Sequence, residues 1–101
     1  GSGFDQIWQK PNGTFCVVEA KGPGAKLGSS AAKGEQMSTE WVLKTAQGMA
    51  KNKDNKKKTI GGKIVQAIES EAPKVEGYVI KSTPTEMQAK KGWQDPHAKY
   101  N

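Results

Sequence analysis

From Phe15 to Val18 the chain is apolar at four consecutive positions before it reaches Glu19 and Lys21, a pattern that predicts a strand covered on both faces. Phe4-Asp5-Gln6-Ile7-Trp8-Gln9 predicts a second strand, and Pro11-Asn12-Gly13 between the two supplies the residues of a tight hairpin turn. Further on, Ser38 is an N-cap with Glu40 in the first turn behind it, and Trp41, Val42, Ala46 and Met49 recur at helical spacing. Ile60, Ile64, Val65 and Ile68 give a second helical face, which Pro73 forbids from extending. Val75 to Lys81 predicts another strand. The order strand, strand, helix, helix, strand predicts a small α/β domain with a mixed sheet flanked by helices. Residues 84–101 read as an irregular tail that holds Trp93, His97 and Tyr100, whose aromatic residues are expected to dock on the body of the fold.

The hairpin decides which side chains meet. With a three-residue loop Lys10 pairs with Thr14, and counting outward sets Ile7 opposite Val17 and Asp5 opposite Glu19. Side chains alternate across a strand, so Glu19 and Lys21 share a face and Asp5 joins them. A two-residue Asn12-Gly13 loop would instead slip the register by one and send Asp5 to the other side.

Two carboxylates and a lysine at a strand end suit metal-dependent phosphodiester cleavage. Carboxylate oxygens are hard ligands for Mg²⁺ or Mn²⁺, which acidify a water, while a lysine positions that water or offsets charge on the phosphate. The same three residues also read as a cross-strand charge cluster with a purely structural role.

Asp5, the turn, and then Val17-Val18-Glu19-Ala20-Lys21 resemble the PD-(D/E)XK nuclease signature, in which an aspartate on one strand and Glu-x-Lys on the next form the active site. The longer run from Val18 to Gly28, followed by Gly34-Glu35-Gln36-Met37-Ser38 and Trp41, is similar to restriction-endonuclease-like toxin domains at the C-termini of large secreted bacterial proteins, among them contact-dependent inhibition and Rhs-type polymorphic toxins. The likeness covers residues 3 to 42. It implies a restriction-endonuclease-like core, Asp5 and Glu19 as metal ligands for Mg²⁺ or Mn²⁺, Lys21 as the catalytic lysine, and Gln36 as a glutamine touching the catalytic water or the phosphate. Two features depart from the family pattern: Asp5 follows Phe4 rather than proline, and the helix that usually precedes the aspartate strand is not seen. Gly1-Ser2-Gly3 has the composition of a fusion scar.

Composition narrows the function classes. The 101 residues are 34% hydrophobic, enough for one domain with a modest core. The net charge of +6 comes from sixteen lysines without a single arginine, which suits sequence-independent attraction to phosphate and argues against bidentate reading of guanine. Lys26 in the glycine-rich Gly22 to Ser30 loop, Lys33, and Lys56, Lys57 and Lys58 are the candidate nucleic-acid contacts. Lys51 to Lys58 reads as a solvated segment between the helices, or as a nucleic-acid or immunity-protein contact. The single Cys16 is a small core residue, and the lone His97 rules out a histidine-pair acid and base. No apolar run approaches the length of a membrane span. The expectation is a DNA-cleaving toxin domain, secreted as part of a larger protein, acting in the target-cell cytoplasm and held by a cognate acidic immunity protein. An RNase acting on transfer RNA and a basic, non-enzymatic nucleic-acid-binding module are the alternatives.

Overall fold

The computed structural model describes residues 3–21, 28–30, 33–81 and 93–94. Eight elements follow one another: β1 (Gln6–Gln9), β2 (Phe15–Lys21), β3 (Ser29–Ser30), β4 (Gly34–Glu35), α1 (Thr39–Ala50), α2 (Asn55–Ser70), β5 (Val75–Lys81) and β6 (Trp93–Gln94). Four of the strands form one mixed sheet in the order β1-β2-β5-β6, antiparallel at both edges and parallel between β2 and β5. β3 and β4 pair separately as a short ribbon. The chain is a small α/β fold, as the order of elements in the sequence predicts.

The hairpin adopts the three-residue loop. The Lys10 N–H donates to the Thr14 carbonyl at 2.9 Å, the Gly13 N–H donates to the Lys10 carbonyl at 2.8 Å, and Asn12 Oδ1 accepts the Thr14 N–H at 3.0 Å. Gly13 takes φ +95°, a conformation side chains resist. Ile7 accordingly faces Val17, and the two-residue alternative is excluded. β1 is shorter than predicted, beginning at Gln6 rather than Phe4.

β2 lies inside the sheet because its composition allows nothing else. Phe15 and Val17 point to the helices, where they meet Met37, Val42, Ala46, Ile64, Ala67, Val75 and Val79, while Phe4, Ile7 and Trp41 pack at the margin of this cluster. Cys16 and Val18 alternate to the other face and are also buried, at 1% and 2% exposure. Cys16 is the core residue expected.

Both helices start where a side chain caps them. Ser38 Oγ accepts the Trp41 N–H at 3.2 Å, as the sequence predicts for α1. The second cap corrects a reading. Lys51 to Lys58 is not one solvated segment: Asp54 Oδ2 accepts the Lys57 N–H at 2.9 Å, so α2 begins at Asn55 and Lys56, Lys57 and Lys58 stand on its first turn. A second correction concerns the Gly22 to Ser30 loop, whose last two residues are strand β3; residues 22–27, Lys26 included, lie outside the described residues, as do His97 and Tyr100. Trp93 belongs to β6, which pairs with Gly77 and Tyr78.

The helices approach closely at Gly61. A Cβ there would stand 2.6 Å from the Ala50 nitrogen and from Met49 Cβ, and 2.8 Å from the Ala46 carbonyl oxygen, so the α1 backbone occupies the place of a side chain. The next residue, Gly62, has nothing within 4 Å of that position. Gly61→Ala is expected to destabilise the protein by about 2 kcal/mol through overpacking. Gly62→Ala should stabilise it by about 0.5–1 kcal/mol, because alanine loses less freedom in a helix. Urea unfolding of the two variants reads the opposite signs directly.

Candidate functional site

The last three residues of β2 change character from core to chemistry. Glu19 continues the helix-facing row of Phe15 and Val17, sits beside Val79 across the parallel ladder, and is 7% exposed. A buried carboxylate must be supplied with donors. Two distant segments supply them. The main-chain N–H of Asp5 donates to Glu19 Oε1 at 3.3 Å, and the amide Nε2 of Gln36 donates to Oε2 at 3.1 Å.

Asp5 reaches the site from just outside β1. Its own carboxylate accepts the Ala20 N–H through Oδ2 at 2.7 Å, continuing the hairpin with a side chain where the ladder has stopped. Oδ1 accepts no hydrogen bond among the described residues and is the oxygen left for another ligand. Phe4, one residue earlier, is anchored edge to face on Trp41 with 5.7 Å between ring centres, which ties the start of the hairpin to α1.

Gln36 is fixed from both sides. Its N–H donates to the Gly28 carbonyl at 2.8 Å, and its side-chain Oε1 accepts the Gly28 N–H at 3.2 Å. With Oε1 occupied in this way, Nε2 is the end turned to Glu19. The next residue, Met37, is fully buried with φ +70°, a left-handed conformation that costs a non-glycine residue about 1 kcal/mol or more. Burying the Met37 side chain offsets that cost, and the resulting bend lets Gln36 turn to the strand end while Ser38 caps α1.

Burial pushes the Glu19 carboxyl up to about 7, and the neighbouring negative charge of Asp5 pushes in the same direction. The Asp5 N–H, the Lys21 ammonium and the Gln36 amide all act to lower it and are outweighed. Lys21 is half-buried, two residues beyond Glu19 on the same face.

Asp5, Glu19, Lys21 and Gln36 therefore come together at the carboxyl end of the parallel β2–β5 pair, the end at which open α/β sheets bind ligands. Of the remaining candidates, Lys26 lies outside the described residues. Lys33 is half-buried, its Nζ 6.0 Å from the centre of the Trp41 ring. Lys56, Lys57 and Lys58 share no hydrogen bond or ion pair with the cluster. The part played by the Asp5 main chain has no signature in sequence, since every residue carries an N–H.

Among the described residues no group of three or more His, Cys, Asp or Glu side chains is arranged to hold a metal ion. Mg²⁺, however, is commonly bound by one or two carboxylates, with waters and substrate phosphate completing the shell. Asp5 Oδ1 and the remaining lone pairs of Glu19 match that donor chemistry, so the residues present fit a hard cation.

Comparison with protein-family models, with curated proteins and with solved structures finds no match. Among the described residues no helix is long and apolar enough to cross a membrane.

Glu19 makes the stability of the metal-free protein depend on pH. Its carboxyl binds a proton more tightly in the fold than in the unfolded chain, so stability falls as pH rises from the ordinary carboxylate range through about 7. Glu19→Gln removes the ionisation. The variant should therefore gain stability relative to wild type between pH 5 and pH 8, by up to about 3 kcal/mol. Denaturant unfolding at the two pH values measures this difference, and a gain of the same size at both would contradict it.

Proposed function

We propose that the chain is a metal-dependent nuclease that hydrolyses phosphodiester bonds, with DNA favoured over RNA as substrate. The observation that carries the reading is the convergence on one buried carboxylate, Glu19, of Asp5 from the preceding strand and Gln36 from the segment before α1. Those are the residues that the likeness to PD-(D/E)XK nucleases singles out, and the restriction-endonuclease-like core belongs to the same proposal.

In this mechanism Asp5 and Glu19 would hold Mg²⁺ or Mn²⁺, which would supply an acidified water and positive charge beside the scissile phosphate. Gln36 keeps the Glu19 carboxylate facing the site and leaves its outer lone pairs available. Asp5 Oδ2 stays on the Ala20 N–H, which fixes the orientation of Oδ1. The Lys21 ammonium offsets charge that develops on the non-bridging phosphate oxygens and positions the attacking water. In-line attack of that water on phosphorus, with departure of the 3′ oxygen, leaves a 5′-phosphate and a 3′-hydroxyl, by analogy with the nuclease superfamily.

The similarity of residues 3 to 42 to polymorphic toxin domains extends the proposal to biology. The chain is then the toxic end of a larger secreted protein, active in the cytoplasm of a competing bacterium, and the producing cell protects itself with an acidic immunity protein that either covers the Asp5, Glu19 and Lys21 site with its Gly22 to Ser30 loop or seizes the Lys51 to Lys58 surface and blocks substrate by bulk. Electrostatic attraction to a chain of net charge +6 would speed that capture.

A cleavage panel tests the core of the reading. Plasmid DNA, single-stranded DNA and transfer RNA are incubated with the protein and Mg²⁺ or Mn²⁺, with and without chelator. Cleavage is expected only with metal. Glu19→Ala and Lys21→Ala should each lower the rate by about 100-fold or more, in line with the loss of a group that stabilises transition-state charge. Equal nicking by wild type and Glu19→Ala would end the assignment. Salt-sensitive binding without any cleavage would favour the non-enzymatic nucleic-acid-binding module instead.

A further inference from the structure

The positive charge of the chain is concentrated in one place. Residues 51–63 contain six lysines and one aspartate, and so carry net +5 of the chain's +6. Lys51, Lys53, Lys56, Lys57, Lys58 and Lys63 are all exposed. Among the described residues none of the six enters an ion pair; the ion pairs found there join Lys10 and Lys74 to Glu76. Asp54, the one acid in the segment, has its Oδ2 on the Lys57 main-chain N–H.

The helix gives this charge a shape. Lys56 and Lys63 are two turns apart on one flank of α2, about 10 Å along the axis. Together with Asn55, Thr59 and Ile60 they line an open depression of about 410 Å³. Lys51 and Lys53 extend the same charge into the connection from α1.

Local folding would choose otherwise. The first turn of α2 holds three lysines and no acid, which sets positive charge against the helix macrodipole.

We infer that the Lys51–Lys63 flank of α2 is a second nucleic-acid surface, which grips phosphate backbone apart from the Asp5–Glu19 cluster. The inference rests on the nuclease reading for its choice of ligand. Charge complementarity alone would also admit an acidic protein, but the composition of the flank favours phosphate. Protein interfaces are centred on aromatic, methionine and arginine anchors and are depleted in lysine. The one exposed large hydrophobic residue among those described, Trp8, is on β1, and the chain has no arginine. Lysine point charges without apolar anchors are the composition of a sequence-independent phosphate track.

The experiment measures binding in EDTA, where cleavage is absent whatever the catalytic site does, so its failure and that of the nuclease reading are distinguishable. A fluorescein-labelled 20-base-pair duplex of mixed sequence is titrated with wild type, with Lys56→Gln/Lys57→Gln/Lys63→Gln, and with the charge-matched control Lys10→Gln/Lys44→Gln/Lys74→Gln, across a range of salt. The α2 triple should weaken binding about tenfold or more and lower the slope of log affinity against log salt by about 2 to 3. The control should lower that slope by less than 1. The α2 triple should also melt at or above the wild-type temperature, because it removes positive charge set against the macrodipole in the first turn.

Lys51→Glu/Lys53→Glu leaves the sequence of α2 intact and should weaken binding in the same way, which keeps the question answerable if the triple folds poorly. Equal losses in the two triples would mean that binding follows net charge alone and would overturn the inference, as would unchanged affinity. Displacement of the duplex by polyglutamate at equal charge concentration, with the same dependence on the three α2 lysines, would make the flank a dock for an acidic protein and overturn it too.

Discussion

Five consecutive side chains, Phe15 to Glu19, are buried on a single strand, and this obliges the chain to cover both faces and both edges of β2 at once. One edge is taken by the β1 hairpin, the cheapest partner because it is next in sequence. The other is taken by β5, which runs parallel and so cannot be reached by a turn; both helices are spent on the crossover. The helices are also the cover for one face of the strand. Their contact at Gly61 lets them lie close enough together to serve as that cover.

The site follows from the same obligation. An apolar residue at position 19 would finish the strand at no electrostatic cost. Glutamate there has to be solvated by the protein, and the donors available are those that the hairpin and the segment before α1 bring within reach. Asp5 and Gln36 are held there by partners of their own, Ala20 and Gly28. The cluster is thereby preorganised by main-chain bonds on both sides. Its cost is a carboxylate whose burial resists ionisation.

Much of this was legible where local chemistry is unambiguous. Pro11-Asn12-Gly13 announced the hairpin, and counting from it placed Asp5 beside Glu19. Ser38 and Glu40 announced α1. The start of α2 was misread because Lys56, Lys57 and Lys58 look like a solvated charge run, and their sign is the wrong one for a helix N-terminus; the Asp54 cap and the Ile60 and Ile64 face prevail over that cost. The extent of β1 was misread because Asp5 satisfies the strand edge with its carboxylate instead of its main chain. The left-handed Met37 has no sequence signature at all, since methionine is not a residue that favours positive φ. The left-handed Met37 and the Asp5 main-chain donor carry no residue signature, whereas the start of α2 does carry one in Asp54, a favoured N-cap residue.

The three-residue hairpin loop behaves as a parity device. Strand faces alternate with period two, so a register slipped by one residue at the turn between Lys10 and Thr14 would reverse which side of the sheet Asp5 occupies and take Ile7 off the core face with it. The long crossover from β2 to β5 has no such sensitivity, because helices and loops absorb length without altering the alternation of either strand. Insertions during divergence are thus filtered very differently on the two sides of β2. In the crossover they are a matter of packing, but in the turn one that slips the register would separate the acidic pair as well.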